Sequence, residues 1–252
     1  MLSRVELIQY LNQLLEPEKF KDYAPNGLQV QGADQIQVLV SGVTATEALI
    51  EEAIALQADA ILVHHGYFWR GEEATLTGMK YRRVKLLMEH NINLLAYHLP
   101  LDAHPTLGNN AQLAKQLGIE MEGGLDPAEL RPIGNVGSLP GEMSLEQFAQ
   151  QVEGALQRKP TVVSGGDHPI KRVAWCTGGA QGYIEKAVAL GADAYISGEI
   201  SEQTTHVARE CGIHFVAAGH HATERYGAQA VGLHLADQFQ LKHTFVDIPN
   251  PA

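Results

Sequence analysis

The chain has 252 residues, is 45% hydrophobic and carries a formal net charge of -11, with 18 lysines and arginines and 12 histidines. That length supports one large α/β domain or two small ones, each with a packed core. The acidic balance and the lack of a basic run argue against an electrostatic grip on long nucleic acid or an anionic membrane, and no apolar run approaches the roughly 20 residues of a membrane span.

A small nucleotide stays compatible, because a metal or a helix N-terminus holds phosphate locally. Cys176 and Cys211 are the only cysteines and form no CxxC. With no basic leader followed by an apolar stretch, the expectation is a cytoplasmic protein in a reducing compartment.

The first predicted element is a helix opened by a Ser3–Glu6 capping box, with Val5, Ile8, Leu11 and Leu15 at helical spacing. Pro25-Asn26-Gly27 reads as a turn and Ile36–Val40 as a strand. A helix follows over Glu47–Leu56, then a strand, Ala60–Val63, that is apolar on both faces as in a covered parallel sheet. The pattern continues with a helix at Arg82–Glu89, a strand at Asn93–Tyr97 and a helix at Asn110–Leu117. Gly123-Gly124-Leu125-Asp126-Pro127 marks a linker. Beyond it come strands at Ile133–Leu139 and Thr161–Ser164, and between them a helix capped by Ser144 with Gln147. Strand Val173–Cys176, helix Tyr183–Leu190 and a strand ending at Ala218 complete the second half, and the tail, His243–Ile248, is a last strand able to return to either sheet.

The second half repeats the first. Residues 51–60 align without gaps with residues 185–194, seven of the ten pairs being identical. Val38-Leu39-Val40 matches Val173-Ala174-Trp175 as the preceding strand, and Asn91–Tyr97 matches Gly212–Ala218 as the following one. The expectation is two similar α/β domains from an internal duplication, spanning residues 1–125 and 126–252.

Ligand sites of parallel α/β units gather at the carboxyl ends of strands. His64 and His65 end one strand, Asp102 follows the next, and His220 and Glu224 follow the corresponding strand of the second copy. Imidazoles and carboxylates suit a borderline divalent ion such as Zn, Fe, Mn, Co or Ni. Adjacent residues of an extended chain point to opposite sides, so His64 and His65 reach two neighbouring ions more easily than one. His220 and Glu224, four apart, share one face if a helix has begun at Gly219. Two ions roughly 3.5–4 Å apart generate a hydroxide nucleophile and polarise a carbonyl, imine or phosphoryl group.

Glu224, as a bridge, and Glu199 and His98 nearby are the candidate acid–base residues; Glu199 and His206 read either as acid–base or as supporting polar groups, and His98, His104 and His221 as supporting or structural groups and not as ligands. Gly178-Gly179, at a strand-to-helix turn, is either a tight turn or a phosphate cradle. Tyr67 and Trp69 are candidates to wall a pocket, and Cys176 reads as a core residue.

At Val63-His64-His65-Gly66-Tyr67-Phe68-Trp69, His98-Leu99-Pro100-Leu101-Asp102, Asn26-Gly27-Leu28-Gln29-Val30, Gly178-Gly179-Ala180 and Gly219-His220-His221-Ala222-Thr223-Glu224, the chain resembles the GTP cyclohydrolase I type 2 homologue (NIF-three-like) family, nearly end to end. The resemblance is closest to the short bacterial members, since the inserted domain of longer ones is absent. It implies two α/β domains with a dinuclear metal site in the cleft between them, a homohexameric ring, and His64, His65, Asp102, His220 and Glu224 as ligands of two divalent ions per subunit. Two departures stand out: Thr44-Ala45-Thr46 where many members have Asp-x-Thr, and Gly66 where many have Pro. The expected function is a metal-dependent hydrolase of a purine or altered nucleotide. The alternative is a non-catalytic metal-binding ring or partner-binding scaffold.

Overall fold

The computed structural model describes residues 2–252. In chain order the elements are β1 (Leu2–Ser3), α1 (Arg4–Leu15), β2 (Gly27–Val30), β3 (Gln35–Ile36), β4 (Val38–Thr44), α2 (Glu47–Ala55), β5 (Ala60–His65), α3 (Gly78–Glu89) and β6 (Asn93–Ala96). Then come α4 (Leu99–Ala103), α5 (Asn109–Gln116), β7 (Glu120–Gly124), β8 (Asn135–Met143), α6 (Leu145–Leu156), β9 (Thr161–Val163) and β10 (Ile170–Cys176). The rest are α7 (Ile184–Ala189), β11 (Ala194–Ser197), α8 (Glu202–Cys211), β12 (His214–Ala217), α9 (His220–Phe239) and β13 (Lys242–Phe245). Two compact units emerge: one runs to Leu101 and resumes over Gly227–Pro249, the other takes Asp102–Tyr226 and Asn250–Ala252.

The first unit is built on a five-stranded sheet in the order β13-β4-β5-β6-β2. Its four strands from β13 to β6 are parallel, and β2 closes the edge antiparallel to β6. β4 and β5 bury both faces, as strands covered by helices must. Val40, Ile61, Val63 and Leu94 of the sheet pack with Leu49, Ile50 and Ala53 of α2 and Leu87 of α3. The capping box predicted at Ser3–Glu6 is present on α1, but the buried stripe is Leu7, Leu11 and Leu15, while Val5 is exposed.

The second unit is built on a six-stranded sheet in the order β7-β8-β10-β11-β12-β9. Its parallel pairings are β10 with β11 and β11 with β12, and the other neighbours pair antiparallel. Trp175 of β10 is fully buried, and its indole N–H donates to the Asn110 carbonyl at 2.9 Å.

One frame occurs in both units, down to individual hydrogen bonds. Asp59 Oδ2 accepts from the backbone of Gln37 and Val38, and Asp193 Oδ2 accepts from that of Lys171 and Arg172. Each aspartate thus fastens the start of one parallel strand to the start of its neighbour. The turn before it is left-handed in both units, with φ 58° at Gln57 and 66° at Gly191. β2 and β9 both run antiparallel to the third strand of the frame, and α1 and α6 both open on capping boxes. Leu39 pairs with Ala60 as Val173 pairs with Ala194, so the frame aligns Leu39 with Val173, one residue from the match of Val38 with Val173 suggested by the sequence.

The division differs from the expected boundary at residue 125, because β7 pairs with β8 and draws residues 102–125 into the second unit. The glycine pair read as a linker closes that edge strand. Gly27, expected in a turn, begins β2 with φ 107°. β13 pairs in parallel with β4 in the first unit's sheet.

Candidate metal centre

In the first unit, β5 carries His64 and His65 to its carboxyl end, with ring centroids 4.5 Å apart. His64 is fully buried, and its Nδ1–H donates to the Tyr97 carbonyl at 3.1 Å. That bond selects the tautomer in which Nε2 carries the lone pair, the usual arrangement behind a metal-binding imidazole. His65 Nδ1 lies 3.2 Å from Thr44 Oγ1, at the end of β4. Thr46, the other threonine of that departure, caps α2 by accepting from the Leu49 N–H. A methyl group at Gly66 would overlap Gln29, whose side chain clamps both backbone groups of Tyr67. Gln29 therefore fixes where the chain leaves β5. Tyr67 is buried, donates its hydroxyl to the Ala45 carbonyl, and has its phenol pushed up by burial. It is a core group, whereas Trp69 stands edge-on to His98 with ring centroids 4.9 Å apart.

In the second unit, Asp102 lies on the short helix α4 and not in the loop its sequence suggested. It is 6% exposed and accepts from Asn109 Nδ2 at 2.9 Å and Thr177 Oγ1 at 3.3 Å. His220 and Glu224 open α9, and the four-residue spacing sets His220 Nε2 3.2 Å from Glu224 Oε2. Glu224 is 3% exposed. Carboxylate oxygens of Asp102 and Glu224 lie within 4.8 Å of each other. His220 Nδ1–H donates to Glu199 Oε1 at 2.7 Å, so Glu199 orients this imidazole. In the metal-free state the Glu224 hydrogen bond, opposed by burial and helped by the charges of Glu224 and Glu199, raises the His220 pKa to about 9.

Three glycines make this arrangement possible. The carboxyl ends of β10, β11 and β12 are tied by Gly198 N–H to the Gly178 carbonyl and Gly219 N–H to the Gly198 carbonyl. A methyl group at Gly198 would stand 2.6 Å from His220 Cα, and one at Gly178 would overlap Glu224 Oε1. The Gly178 N–H donates to Thr223 Oγ1 and the Ala180 N–H to Ser197 Oγ. Those two donors serve the fold, so Gly178 acts by close approach to Glu224 and not through the N–H of a phosphate cradle. Gly179 lies beside Glu199.

The three supporting histidines differ in their surroundings. His104 Nδ1 accepts from the Thr106 and Leu107 N–H groups, His206 is exposed on α8, and the His221 N–H donates to the Ala252 carbonyl. Burial pushes the Cys176 thiol well up, which leaves it no nucleophile at neutral pH. Asn109 was not singled out in the sequence, and Thr44, Thr177 and Thr223 stood there only inside motifs, with no role assigned. Each acts through a residue distant along the chain or through a backbone group, and no local motif marks that role.

The donor set fits a borderline divalent ion. Imidazoles with Nδ1 engaged offer Nε2 to an ion, at His220 by exchange for its proton, and the two carboxylates are nearly inaccessible to water. These His, Asp and Glu groups could hold a metal. No helix among the described residues is long and apolar enough to cross a membrane.

Two α/β units with imidazole and carboxylate clusters at strand ends define a recognisable class: the chain belongs to the Duf34/NIF3 (NGG1p interacting factor 3) family, whose model matches residues 2–251. A Pseudomonas aeruginosa protein named GTP cyclohydrolase 1 type 2 homolog is 56% identical over 246 residues, covering 98% of this chain and 97% of that one. A solved structure described as protein ybgI, of unknown function, superposes with a TM-score of 0.96 at 50% identity over 100% of both chains. TTHA1606 from Thermus thermophilus superposes with a TM-score of 0.90 at 32% identity, again over 100% of both.

Proposed function

We propose that this protein is a hydrolase that holds two divalent ions with His64, His65, Asp102, His220 and Glu224 and acts on a purine nucleotide or an altered nucleotide. One observation carries the reading: Asp102 and Glu224 are 6% and 3% exposed, with oxygens within 4.8 Å of each other. Two carboxylates that close and that dry repel each other strongly unless a cation or a proton offsets them. Ordered imidazoles in both units give the remaining donors.

Bound divalent ions would supply an acidified water and Lewis-acid polarisation of the substrate. The protein's own groups do the rest. Glu199 and the Tyr97 carbonyl hold His220 and His64 in the tautomers that expose Nε2. Glu224, whose Oε2 lies 3.2 Å from His220 Nε2, would be the carboxylate shared by the two ions. Glu199 and His98 are the groups available to move protons. The purine preference follows the name of the relatives, and ring opening of GTP is the named case. Assembly into a homohexameric ring belongs to the same proposal and is checked by light scattering.

The test offers protein loaded with Mn, Fe or Zn a panel of nucleotides headed by GTP. Turnover that falls at least a hundredfold in Glu224→Gln supports the hydrolase. Metal uptake without turnover of any nucleotide overturns it in favour of a non-catalytic metal-holding ring or partner-binding scaffold.

A further inference from the structure

The first unit gathers a third imidazole, His98, that the five-ligand set omits. One ring nitrogen from each of His64, His65 and His98 lies within 4.8 Å of the others. The His98 ring centroid is 5.0 Å from that of His64 and 5.8 Å from that of His65. His98 lies two residues beyond the end of β6 and is held from two sides. Its Nδ1–H donates to Asp22 Oδ1 at 2.7 Å, and its backbone N–H donates to Asn26 Oδ1 at 2.7 Å. Asp22 is itself fixed, with Oδ2 accepting from Asn26 Nδ2 and from the Leu99 N–H, both at 2.9 Å. Its side chain is 4% exposed. Burial alone would raise the Asp22 pKa, but the hydrogen bonds from His98 and Asn26 outweigh it and hold the value at about 2.

A carboxylate fixed as an anion behind Nδ1 leaves Nε2 as the basic nitrogen of His98. It also makes that nitrogen a better donor, as carboxylate–imidazole pairs do at metal sites. Three imidazoles this close repel one another when protonated, whereas a cation accepts a lone pair from each. Trp69, edge-on to His98, covers the ring on another side. A histidine serving packing alone needs neither the buried anion behind it nor two other imidazoles in front.

We infer that His98 Nε2 is a further metal ligand of the first unit's cluster and that Asp22 is its positioning residue. The inference rests on the metal centre proposed above and changes its donor set, with His98 serving as ligand instead of proton carrier.

The experiment uses the full chain with 15N-labelled histidine rings, titrated with zinc and followed by 15N NMR. The His98 signals are identified by their absence in His98→Gln, or in His98→Asn should the first variant fail to fold. The expected result is that His98 Nε2 moves to the shift of metal-bound imidazole together with His64 and His65. Asp22→Asn should keep its far-UV circular dichroism and bind zinc at least tenfold more weakly. Shifts at His64 and His65 with none at His98 overturn this inference and leave the metal centre standing. No shift at any histidine ring overturns both.

Discussion

Gly178 and Glu224 compete for one small volume. A methyl group on the glycine would overlap Glu224 Oε1 and stand 3.2 Å from His220 Nε2. The glycine also sits at φ 68°, where a side chain is strained. Gly178→Ala should therefore displace the carboxylate. The expected outcome is at least a tenfold loss of metal affinity in a chelator-competition titration, with a stability loss of about 1–3 kcal/mol from backbone strain. Unchanged affinity would mean that Glu224 is not a ligand.

Glu199 meets the site through His220 Nδ1. It is 46% exposed, so Glu199→Gln should leave the fold and melting temperature nearly unchanged. Loss of the anionic acceptor at 2.7 Å from Nδ1 should weaken metal binding about 10–100-fold. The same variant should keep its metal stoichiometry at saturating concentration, which separates positioning from ligation.

His220 makes metal uptake and stability depend on pH in a defined direction. Its folded pKa is about 9, above the ordinary 6.5, so its contribution to metal-free stability is complete below pH 6.5 and is lost as pH rises through 9. Denaturant titrations of the metal-free protein should show a decline of about 2–3 kcal/mol across that window, absent in His220→Gln. A metal that takes Nε2 must displace this proton. Calorimetry at pH 7 in buffers of different ionisation enthalpy should accordingly show release of close to one proton, and affinity should rise with pH up to about 9.

Asp59 and Asp193 offer a test of the repeated frame that does not involve the site. Each carboxylate accepts from two consecutive backbone N–H groups at the start of a parallel strand. Asp59→Ala and Asp193→Ala should each cost about 2–3 kcal/mol in chemical denaturation, since hydrogen bonds to a charged acceptor are lost together. Metal affinity should stay within threefold of the parent. A large loss from one and none from the other would show that the two frames are not energetically equivalent.

Much of this was legible in the chain because it is local. The Ser3–Glu6 and Ser144–Gln147 capping boxes, the apolar runs of β4 and β5, and the matched residues 51–60 and 185–194 each report on their own neighbourhood. His64, His65, His220 and Glu224 were visible because strand ends and a four-residue helical step are short-range patterns. Asp22 was invisible, since its meaning lies in a bond to a residue 76 positions away. The domain boundary was misplaced for a related reason: Gly123-Gly124 has linker composition, and only its pairing with β8 makes it a strand. Glu199 looked like an acid–base candidate, and its bond to His220 Nδ1 across 21 positions shows the imidazole it orients.

The pairing of β13 with β4 has a consequence for biosynthesis. Lys242–Phe245 lies alongside Val38–Ser41, so the first sheet lacks its outer strand until about 200 further residues beyond β4 have been synthesised, the separation of the paired positions. Until then β4 carries an exposed, apolar edge, the kind of surface that invites association between nascent chains. Such late closure over a long loop is intrinsically slow. Shortened translation products that stop before Lys242 should for that reason depend on chaperones far more than the finished protein does.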